Sequence, residues 1–150
     1  MITLKIGDKA PNFSAKDQDG KLHQLADYAG KKLVVFFYPK ANTPGCTAEA
    51  CDLNNNYSSF QAQNYAILGV SADNAKAQLK FKEKFDFAYD LLADEDRTVI
   101  EAFGVWGPKK FMGKEYDGIN RTTFIIDESG LIERVITDVK TKAHADQILK

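Results

Sequence analysis

The sequence predicts a mixed α/β fold, in which a central β-sheet is flanked by helices and preceded by an N-terminal β-hairpin. Residues 33–38 (LVVFFY) are apolar on both alternating faces, which is typical of a strand covered on both sides of a largely parallel sheet. Strand-like and helix-like segments alternate after this strand, as they do in βαβ units. Turn-forming residues at 17–20 and 128–130 each join two short extended segments, which predicts two hairpins.

The first elements follow from local signals. The turn-forming residues 17–20 predict a hairpin between residues 13 and 25, at the edge of the fold. Pro39 ends the central strand, and Thr43 followed by Pro44 is a typical N-cap and first residue of a helix. Apolar residues at helical spacing extend this helix to about residue 64.

The later elements are predicted in the same way. Asn74 caps one helix, and Asp94 or Asp96 caps another, which ends before Gly104. Between residues 105 and 120 we expect a long loop. The remaining predicted elements are strands at 65–70, 91–92, 122–127 and 131–137, and a helix at 143–149.

Length and charge narrow the functional classes. A chain of 150 residues with 44% hydrophobic side chains can build one core, so we expect a single domain over residues 1–150. Twenty basic and 21 acidic side chains give a net charge of −1, which is unsuited to binding nucleic acid or an anionic membrane. No segment is apolar enough for a membrane span or a signal peptide, so we expect a soluble, cytoplasmic protein.

Two cysteines lie close together, at positions 46 and 51. In a reducing compartment, neighbouring thiols indicate redox or metal chemistry. Cys46 falls at about the third position of the helix opened by Thr43 and Pro44, where unpaired backbone N–H groups and the helix dipole favour a thiolate. The hydroxyl of Thr43 can donate to a thiolate or a bound oxygen atom there. A cysteine on an apolar helix face can also be a small core residue, but this position favours a catalytic one.

Helical geometry predicts that the two thiols cannot bond while the helix is intact. Cys51 is rotated about 140° from Cys46, and their Cα atoms are roughly 8.5 Å apart. A disulfide needs less than about 7 Å, so the first part of the helix must unwind before the two sulfurs can bond. Asn54, Asn55 and Asn56 are poor helix formers that together cost up to about 2 kcal/mol relative to alanines, which favours local opening.

We expect no metal site. The two histidines, His23 and His144, lie at ligand spacing neither from the thiols nor from each other, so both are expected to be ordinary surface or core residues. The acidic residues 94–96 lack the turn glycine of an EF-hand, and helix capping is the simpler explanation. Residues 17–20 fail similarly, because Lys21 replaces the third acidic ligand.

Residues 39–46 (PKANTPGC) match the P-x-x-x-T-x-x-C signature of the peroxiredoxins. Together with Cys51, this motif resembles the subgroup called peroxiredoxin Q or bacterioferritin comigratory protein. The resemblance covers nearly the whole chain, and further matching segments are residues 7–11 (GDKAP), 37–40 (FYPK), 103–107 (FGVWG) and 112–114 (MGK).

The resemblance implies a thioredoxin-like fold and a thiol-dependent peroxidase that reduces hydrogen peroxide and organic hydroperoxides. Cys46 would be the peroxidatic cysteine, which becomes a sulfenic acid, and Cys51 the resolving cysteine, which joins it in an intramolecular disulfide, as in an atypical 2-Cys enzyme. Thr43 and Arg121 would bind the peroxide and stabilise the charge that develops on it, and Pro39 would shield the site from water.

The resemblance also implies partners. Thioredoxin or a similar dithiol would reduce the disulfide, no metal or organic cofactor would be needed, and a monomer would suffice because both thiols lie in one chain. Glu49 matches a position that is often acidic or amide-bearing in this subgroup, but its role is open, since a carboxylate near Cys46 opposes thiolate formation unless it pairs with a base. Relatives commonly have Arg-Asp where this chain has Asn54-Asn55.

Two alternative functions stay open. A thiol:disulfide oxidoreductase of the same fold usually carries C-x-x-C and a proline at the strand opposite the cysteine, whereas four residues separate these thiols and no proline lies near the 122–127 strand. A non-enzymatic redox sensor would use the bond between Cys46 and Cys51 as its signal. Such a sensor would be oxidised once and recycled poorly by thioredoxin.

Overall fold

The computed structural model describes residues 3–149 and has the mixed α/β architecture that the sequence predicts. Its strands are β1 (Ser14–Lys16), β2 (Leu22–Gln24), β3 (Lys32–Phe37), β4 (Tyr65–Ser71), β5 (Asp90–Ala93), β6 (Trp106–Phe111), β7 (Lys114–Ile119), β8 (Thr122–Ile126) and β9 (Ile132–Ile136). Its α-helices are α1 (Pro44–Asn55), α2 (Tyr57–Ala62), α3 (Ala75–Phe85), α4 (Thr98–Ala102) and α5 (His144–Ile148). Met1, Ile2 and Lys150, the ends of the expected domain, lie outside the described residues. Within residues 3–149, no helix combines the length and the apolar character needed to span a bilayer.

The strand at the centre of the main sheet is β3. The sheet has the order β5-β4-β3-β8-β9, with β4 and β5 parallel to β3 on one side and β8 and β9 in antiparallel pairings on the other. Side chains of β3 alternate between two cores. Val34 and Phe36 pack with residues of α1, α2, α3 and α5, whereas Val35 and Phe37 pack with residues of α4. The prediction of a central strand covered on both faces is confirmed.

Gly69 in β4 leaves no room for a side chain. A Cβ atom there would lie 2.7 Å from Cδ2 of Leu91 and 2.9 Å from Cζ of Phe36, and both side chains are fully buried. We expect Gly69→Ala to lower the free energy of unfolding by about 1–3 kcal/mol, because the core must shift to admit the methyl group. Chemical denaturation measures this change.

Gly118→Ala in β7 is the matched control. A Cβ atom there would meet Cδ of Lys109 at 3.2 Å, and this flexible side chain can move. We expect the free energy of unfolding to change by no more than about 0.5 kcal/mol. Equal losses in the two variants would show that crowding around Gly69 is not the cause.

The predicted N-terminal hairpin is confirmed and packs against the β5 edge of the main sheet. β1 and β2 pair antiparallel, and an isolated bridge joins Asp17 to Leu92. His23 is buried there, with Nε2 2.7 Å from Oδ2 of Asp17 and Nδ1 2.7 Å from the hydroxyl of Tyr28. This histidine is therefore a hydrogen-bonded core residue.

The helix expected to run from Thr43 to about residue 64 is broken in two. α1 ends at Asn55 and α2 begins at Tyr57, with Asn56 between them at φ −108° and ψ 15°. The side-chain amide of Asn56 donates to the carbonyl of Asp52, and such local bonds compete with helix continuation. Apolar spacing alone predicted one helix because it does not register this competition.

The prediction of a long loop over residues 105–120 is wrong, since β6 and β7 form a hairpin there. Its two turn residues, Met112 and Gly113, have φ of 51° and 79°, the left-handed pair that a tight two-residue turn requires. Neither the turn composition nor Pro108 within β6 is typical of a strand pair, so local signals pointed to a loop.

The helix caps agree with the sequence in part. Asn74 caps α3 by accepting from the N–H of Ala77 at 2.8 Å, and Gly104 follows α4 with a φ of 72°, as predicted. The N-cap of α4 is Arg97, neither Asp94 nor Asp96. The Asp94 carboxylate still accepts from the N–H of Ile100 at 2.8 Å, within that helix. Asp94 therefore binds a backbone N–H of α4 although it lies four residues before the first helical residue, outside the usual N-cap position.

Candidate active site

The start of α1 follows the sequence prediction. Thr43 is the N-cap, with extended backbone at φ −89° and ψ 157°, and Pro44 is the first helical residue. Cys46 is therefore the third helical residue, where backbone N–H groups lack partners within the helix. Its side chain is 1% exposed and lies in the core cluster with Val34 and Phe36.

The hydroxyl of Thr43 makes a different hydrogen bond from the one expected. It donates to the carbonyl of Lys40 at 2.8 Å and does not cap the helix with its side chain. Because this bond uses the hydroxyl proton, the hydroxyl must rotate before it can donate to a thiolate or a peroxide. Pro39 lies partly exposed at the end of β3, on the loop that leads to Thr43.

The sheet topology brings Arg121 to Cys46. Arg121 directly precedes β8, which pairs antiparallel with β3 so that Thr122 lies opposite Phe37. The start of β8 therefore lies beside the end of β3, where the loop to α1 begins. Nη2 of Arg121 donates to Sγ of Cys46 at 3.3 Å, across 75 positions of the chain.

Arg121 also binds Glu49, one helical turn after Cys46. Nη1 donates to Oε1 of Glu49 at 2.7 Å, and the Glu49 side chain is fully buried. Burial raises the pKa of Glu49 to about 7, and the charge and hydrogen bond of Arg121 oppose this rise. The sequence left the role of Glu49 open, and the base with which it pairs is Arg121.

Sequence reasoning missed two residues beside this group. His144 in α5 is fully buried, with Nε2 2.7 Å from Oγ1 of Thr123 and 3.5 Å from Oε2 of Glu49. Lys109 in β6 donates to the carbonyl of Ile119, and burial and the charge of Arg121 lower its pKa while Cys46 raises it. No sequence spacing links these residues to the thiol, because the packing of α5 and of the separate β6–β7 hairpin brings them there.

Cys51 lies on the same helix and is partly buried. Burial raises the pKa of this thiol. Both cysteines are free, and residues 44–55 are helical, the arrangement predicted for the unbonded pair. The unwinding that would let them bond stays a prediction.

The arrangement suits a nucleophilic thiol. A guanidinium group and the N-terminal end of a helix face one sulfur, and both stabilise negative charge on it. The same two donors can stabilise charge that moves onto a bound oxygen atom during attack. The geometry therefore supports nucleophilic chemistry at Cys46.

Comparison with known proteins agrees with this geometry. The sequence profile described as the AhpC/TSA family matches residues 6–135. Peroxiredoxin Bcp of Escherichia coli (strain K12) is 49% identical over 149 residues, which cover 99% of this chain and 96% of the relative.

Solved structures give the same result. The bacterioferritin comigratory protein of Xanthomonas campestris, studied for its alkyl peroxide reduction activity, is 34% identical with a TM-score of 0.88, covering 99% of this chain and 95% of that one. A variant of PrxQ from Xylella fastidiosa is 33% identical with a TM-score of 0.91, covering 97% and 93%. From its sequence, its thioredoxin-like fold and these likenesses, the chain belongs to the peroxiredoxins of the AhpC/TSA family, the thiol-dependent peroxidases.

Proposed function

We propose that this enzyme reduces hydrogen peroxide and organic hydroperoxides with Cys46 as nucleophile and Cys51 as resolving thiol. The observation that carries the proposal is the 3.3 Å contact between Nη2 of Arg121 and Sγ of Cys46 at the start of α1. A relative studied for alkyl peroxide reduction supports the inclusion of organic hydroperoxides.

In the first step, the thiolate of Cys46 attacks the terminal oxygen of ROOH. The S–O bond forms as the O–O bond breaks, so sulfur is oxidised to a sulfenic acid and RO⁻ leaves and takes a proton to become ROH. Arg121 stabilises the negative charge on the sulfur and then on the departing oxygen. Thr43 contacts the peroxide through its hydroxyl, and Pro39 limits the access of water.

In the second step, Cys51 attacks the sulfenic sulfur, the disulfide forms and water leaves. This step needs the first turn of α1 to open, for the geometric reason given above. Burial raises the pKa of Cys51, so this thiol gives up its proton as it attacks, and the hydroxide that leaves the sulfenic sulfur takes it to become water. The disulfide prevents Cys46 from reaching the irreversible sulfinic and sulfonic states.

In the third step, a dithiol reduces the disulfide by thiol–disulfide exchange. We propose thioredoxin as this partner, a monomer as the working unit because both thiols belong to one chain, and the cytoplasm as the location because two unpaired cysteines suit a reducing compartment.

The test follows NADPH oxidation by the wild-type protein with thioredoxin, thioredoxin reductase and either hydrogen peroxide or cumene hydroperoxide. We expect sustained turnover with both peroxides, and one peroxide equivalent should give a disulfide between Cys46 and Cys51 on peptide mapping. Disulfide formation without turnover with any dithiol would instead indicate a redox sensor. Reduction of insulin disulfides without peroxide consumption would indicate a thiol:disulfide oxidoreductase.

A further inference from the structure

The buried carboxylate of Glu49 has one oxygen with no hydrogen bond. Oε1 accepts from Arg121, but Oε2 is the single fully buried side-chain nitrogen or oxygen without a partner in the part of the chain that the structure describes. The polar atom that faces it is Nε2 of His144, 3.5 Å away. An unpaired buried oxygen is costly, so the protonation of these two groups decides whether the site is stable.

The hydrogen bonds of Gln147 fix the tautomer of His144. Nε2 of Gln147 donates to the carbonyl of Asp138 at 2.9 Å, and its Oε1 accepts from the N–H of Lys140 at 3.0 Å, so the amide orientation is determined. Nδ1 of His144 lies 2.7 Å from that same Oε1 and must therefore carry a hydrogen. In the neutral ring, Nε2 then has a single lone pair, which accepts a hydrogen bond from the hydroxyl of Thr123 at 2.7 Å.

This tautomer leaves two acceptor atoms, Nε2 of His144 and Oε2 of Glu49, 3.5 Å apart with no hydrogen between them. A neutral His144 and an ionised Glu49 would direct Nε2 and Oε2 at one another in a dry environment, which is repulsive. One proton removes the repulsion, either on Oε2 of Glu49, where its hydrogen shares the Nε2 lone pair with the Thr123 hydroxyl, or on Nε2 of His144, whose N–H then lies between Oγ1 of Thr123 and Oε2 of Glu49. Burial raises the pKa of Glu49 to about 7 and lowers that of His144, and both shifts place the proton on Glu49.

Other charged groups around the pair favour the same state. Asp52 on α1 favours a charged His144. Arg121, directly before β8, and Arg134, on β9, oppose this charge. Tyr89, directly before β5, also interacts with Glu49, and burial keeps this phenol neutral by raising its pKa. Burial has the largest effect on the pKa of His144, and together with the two arginines it disfavours the imidazolium, so the neutral acid is the favoured form.

We propose that Glu49 and His144 are positioning residues that hold one proton between them, so that Arg121 directs its full positive charge to the Cys46 thiolate. This inference rests on the proposed role of Cys46 as nucleophile. With the proton in place, Arg121 and the thiolate form a neutral pair. Without it, the Glu49 carboxylate at 2.7 Å competes with Sγ at 3.3 Å for the same guanidinium, and the three groups together carry a net negative charge.

The sign of the pH effect follows from this competition. As the pH rises through about 7, Glu49 loses its proton and withdraws part of the stabilisation that Arg121 gives to the reacting sulfur and oxygen. The rate constant per thiolate therefore falls. Lys109 on β6 also interacts with the charges of Arg121 and Cys46, and burial lowers its pKa, so any loss of its charge at higher pH would act in the same direction. The Glu49 variant separates the two contributions.

The experiment measures single-turnover reaction of reduced protein with hydrogen peroxide by stopped flow, from about pH 5 to about pH 9. Rates are divided by the Cys46 thiolate fraction, taken from ultraviolet absorbance against Cys46→Ser. We expect the wild-type value to fall about tenfold across the titration of Glu49, which corresponds to about 1.4 kcal/mol. Glu49→Gln keeps the shape and hydrogen bonds of the protonated acid. Its rate constant per thiolate should therefore change by less than about twofold over the same pH range.

His144→Asn is the second variant, because its amide can replace Nδ1–H but not Nε2. In this variant the protonated form of Glu49 loses its hydrogen-bond acceptor, which lowers the pKa of Glu49. We therefore expect the fall in the rate constant per thiolate to occur at lower pH than in the wild type. Nitrogen-15 spectra of the wild-type histidine rings should show the Nδ1–H tautomer for His144, a readout that needs no variant. A flat wild-type profile, an unchanged fall in Glu49→Gln or an Nε2–H tautomer would overturn the inference. Peroxidase activity in Cys46→Ser would instead overturn the proposed function.

Discussion

Cys46→Ser is expected to lose peroxide turnover by at least about four orders of magnitude, because a serine hydroxyl is neither ionised near neutral pH nor oxidised by peroxide. The side chain is 1% exposed, and serine is close to cysteine in size, so the variant should keep the fold. Turnover is followed by the thioredoxin-coupled assay, and folding by circular dichroism. Wild-type turnover in this variant would exclude Cys46 as the nucleophile.

Cys51→Ser is the matched control for this result. It retains Cys46 and its contact with Arg121, so it should consume one equivalent of peroxide at the wild-type rate. It should then stop, because no intramolecular disulfide forms for thioredoxin to reduce. Trapping of a sulfenic acid by dimedone in this variant separates the two thiol roles. Full recycling of Cys51→Ser by thioredoxin would contradict the resolving role.

Arg121→Gln is expected to slow the reaction of Cys46 with peroxide by about 10²–10³-fold, the typical effect of removing a donor that stabilises developing charge. The same change leaves Glu49 buried without its cation. We expect a loss of about 2–4 kcal/mol in the free energy of unfolding, less than a permanently charged group would cause, because Glu49 can take up a proton. Stopped-flow kinetics and chemical denaturation measure the two effects.

Arg121→Lys and Arg97→Gln are the controls for this variant. Lysine restores the charge, but its single ammonium cannot span Oε1 of Glu49 and Sγ of Cys46 as the planar guanidinium does, so recovery should be incomplete. Arg97 lies over the ring of Trp106, at 4.3 Å from its centroid. Arg97→Gln should leave the rate with peroxide unchanged. Equal slowing in both glutamine variants would show that Arg121 acts only through general stability.

Local signals predicted the elements that depend on neighbours in the chain. Hydrophobic pattern predicted the strand at 33–38, and residue preferences at helix starts predicted a helix beginning after Thr43. The structure has the strand at Lys32–Phe37 and the helix from Pro44, although the Thr43 side chain does not cap it. The β6–β7 hairpin was not predicted, because its turn, Met112-Gly113, has no asparagine or aspartate and Pro108 interrupts the strand pattern. The break at Asn56 escaped because side-chain bonds to the backbone are invisible to periodicity.

The site itself was only half predictable. Cys46 and Thr43 follow from helix-start chemistry, whereas Arg121 was chosen by family resemblance and reaches the thiol through the pairing of β8 with β3. The position of His144 beside Glu49 depends on how α5 packs against α1, which no local pattern encodes. Long-range strand pairing and helix packing together therefore complete the site.

The attachment of α1 to the rest of the protein is uneven along its length. Its second half is held by tertiary hydrogen bonds: Tyr89 to the carbonyl of Ala50, the N–H of Ala145 to Asp52, and Asn54 to the backbone of Asp86 and Ala88. Near its start, the side-chain hydrogen bonds that the structure describes for Cys46 and Glu49 both come from a single arginine, Arg121.

Under the proposed mechanism, this uneven attachment makes two reactions of the Cys46 sulfenic acid compete: disulfide formation after the first turn of α1 opens, and further oxidation by a second peroxide. Oxygen on the Cys46 sulfur removes the thiolate from Arg121, so the first turn is released while the anchored half keeps Cys51 in place. The opening rate does not depend on peroxide, whereas attack by a second peroxide molecule does. The free energy of opening that turn therefore sets the peroxide concentration above which the enzyme is overoxidised and permanently lost.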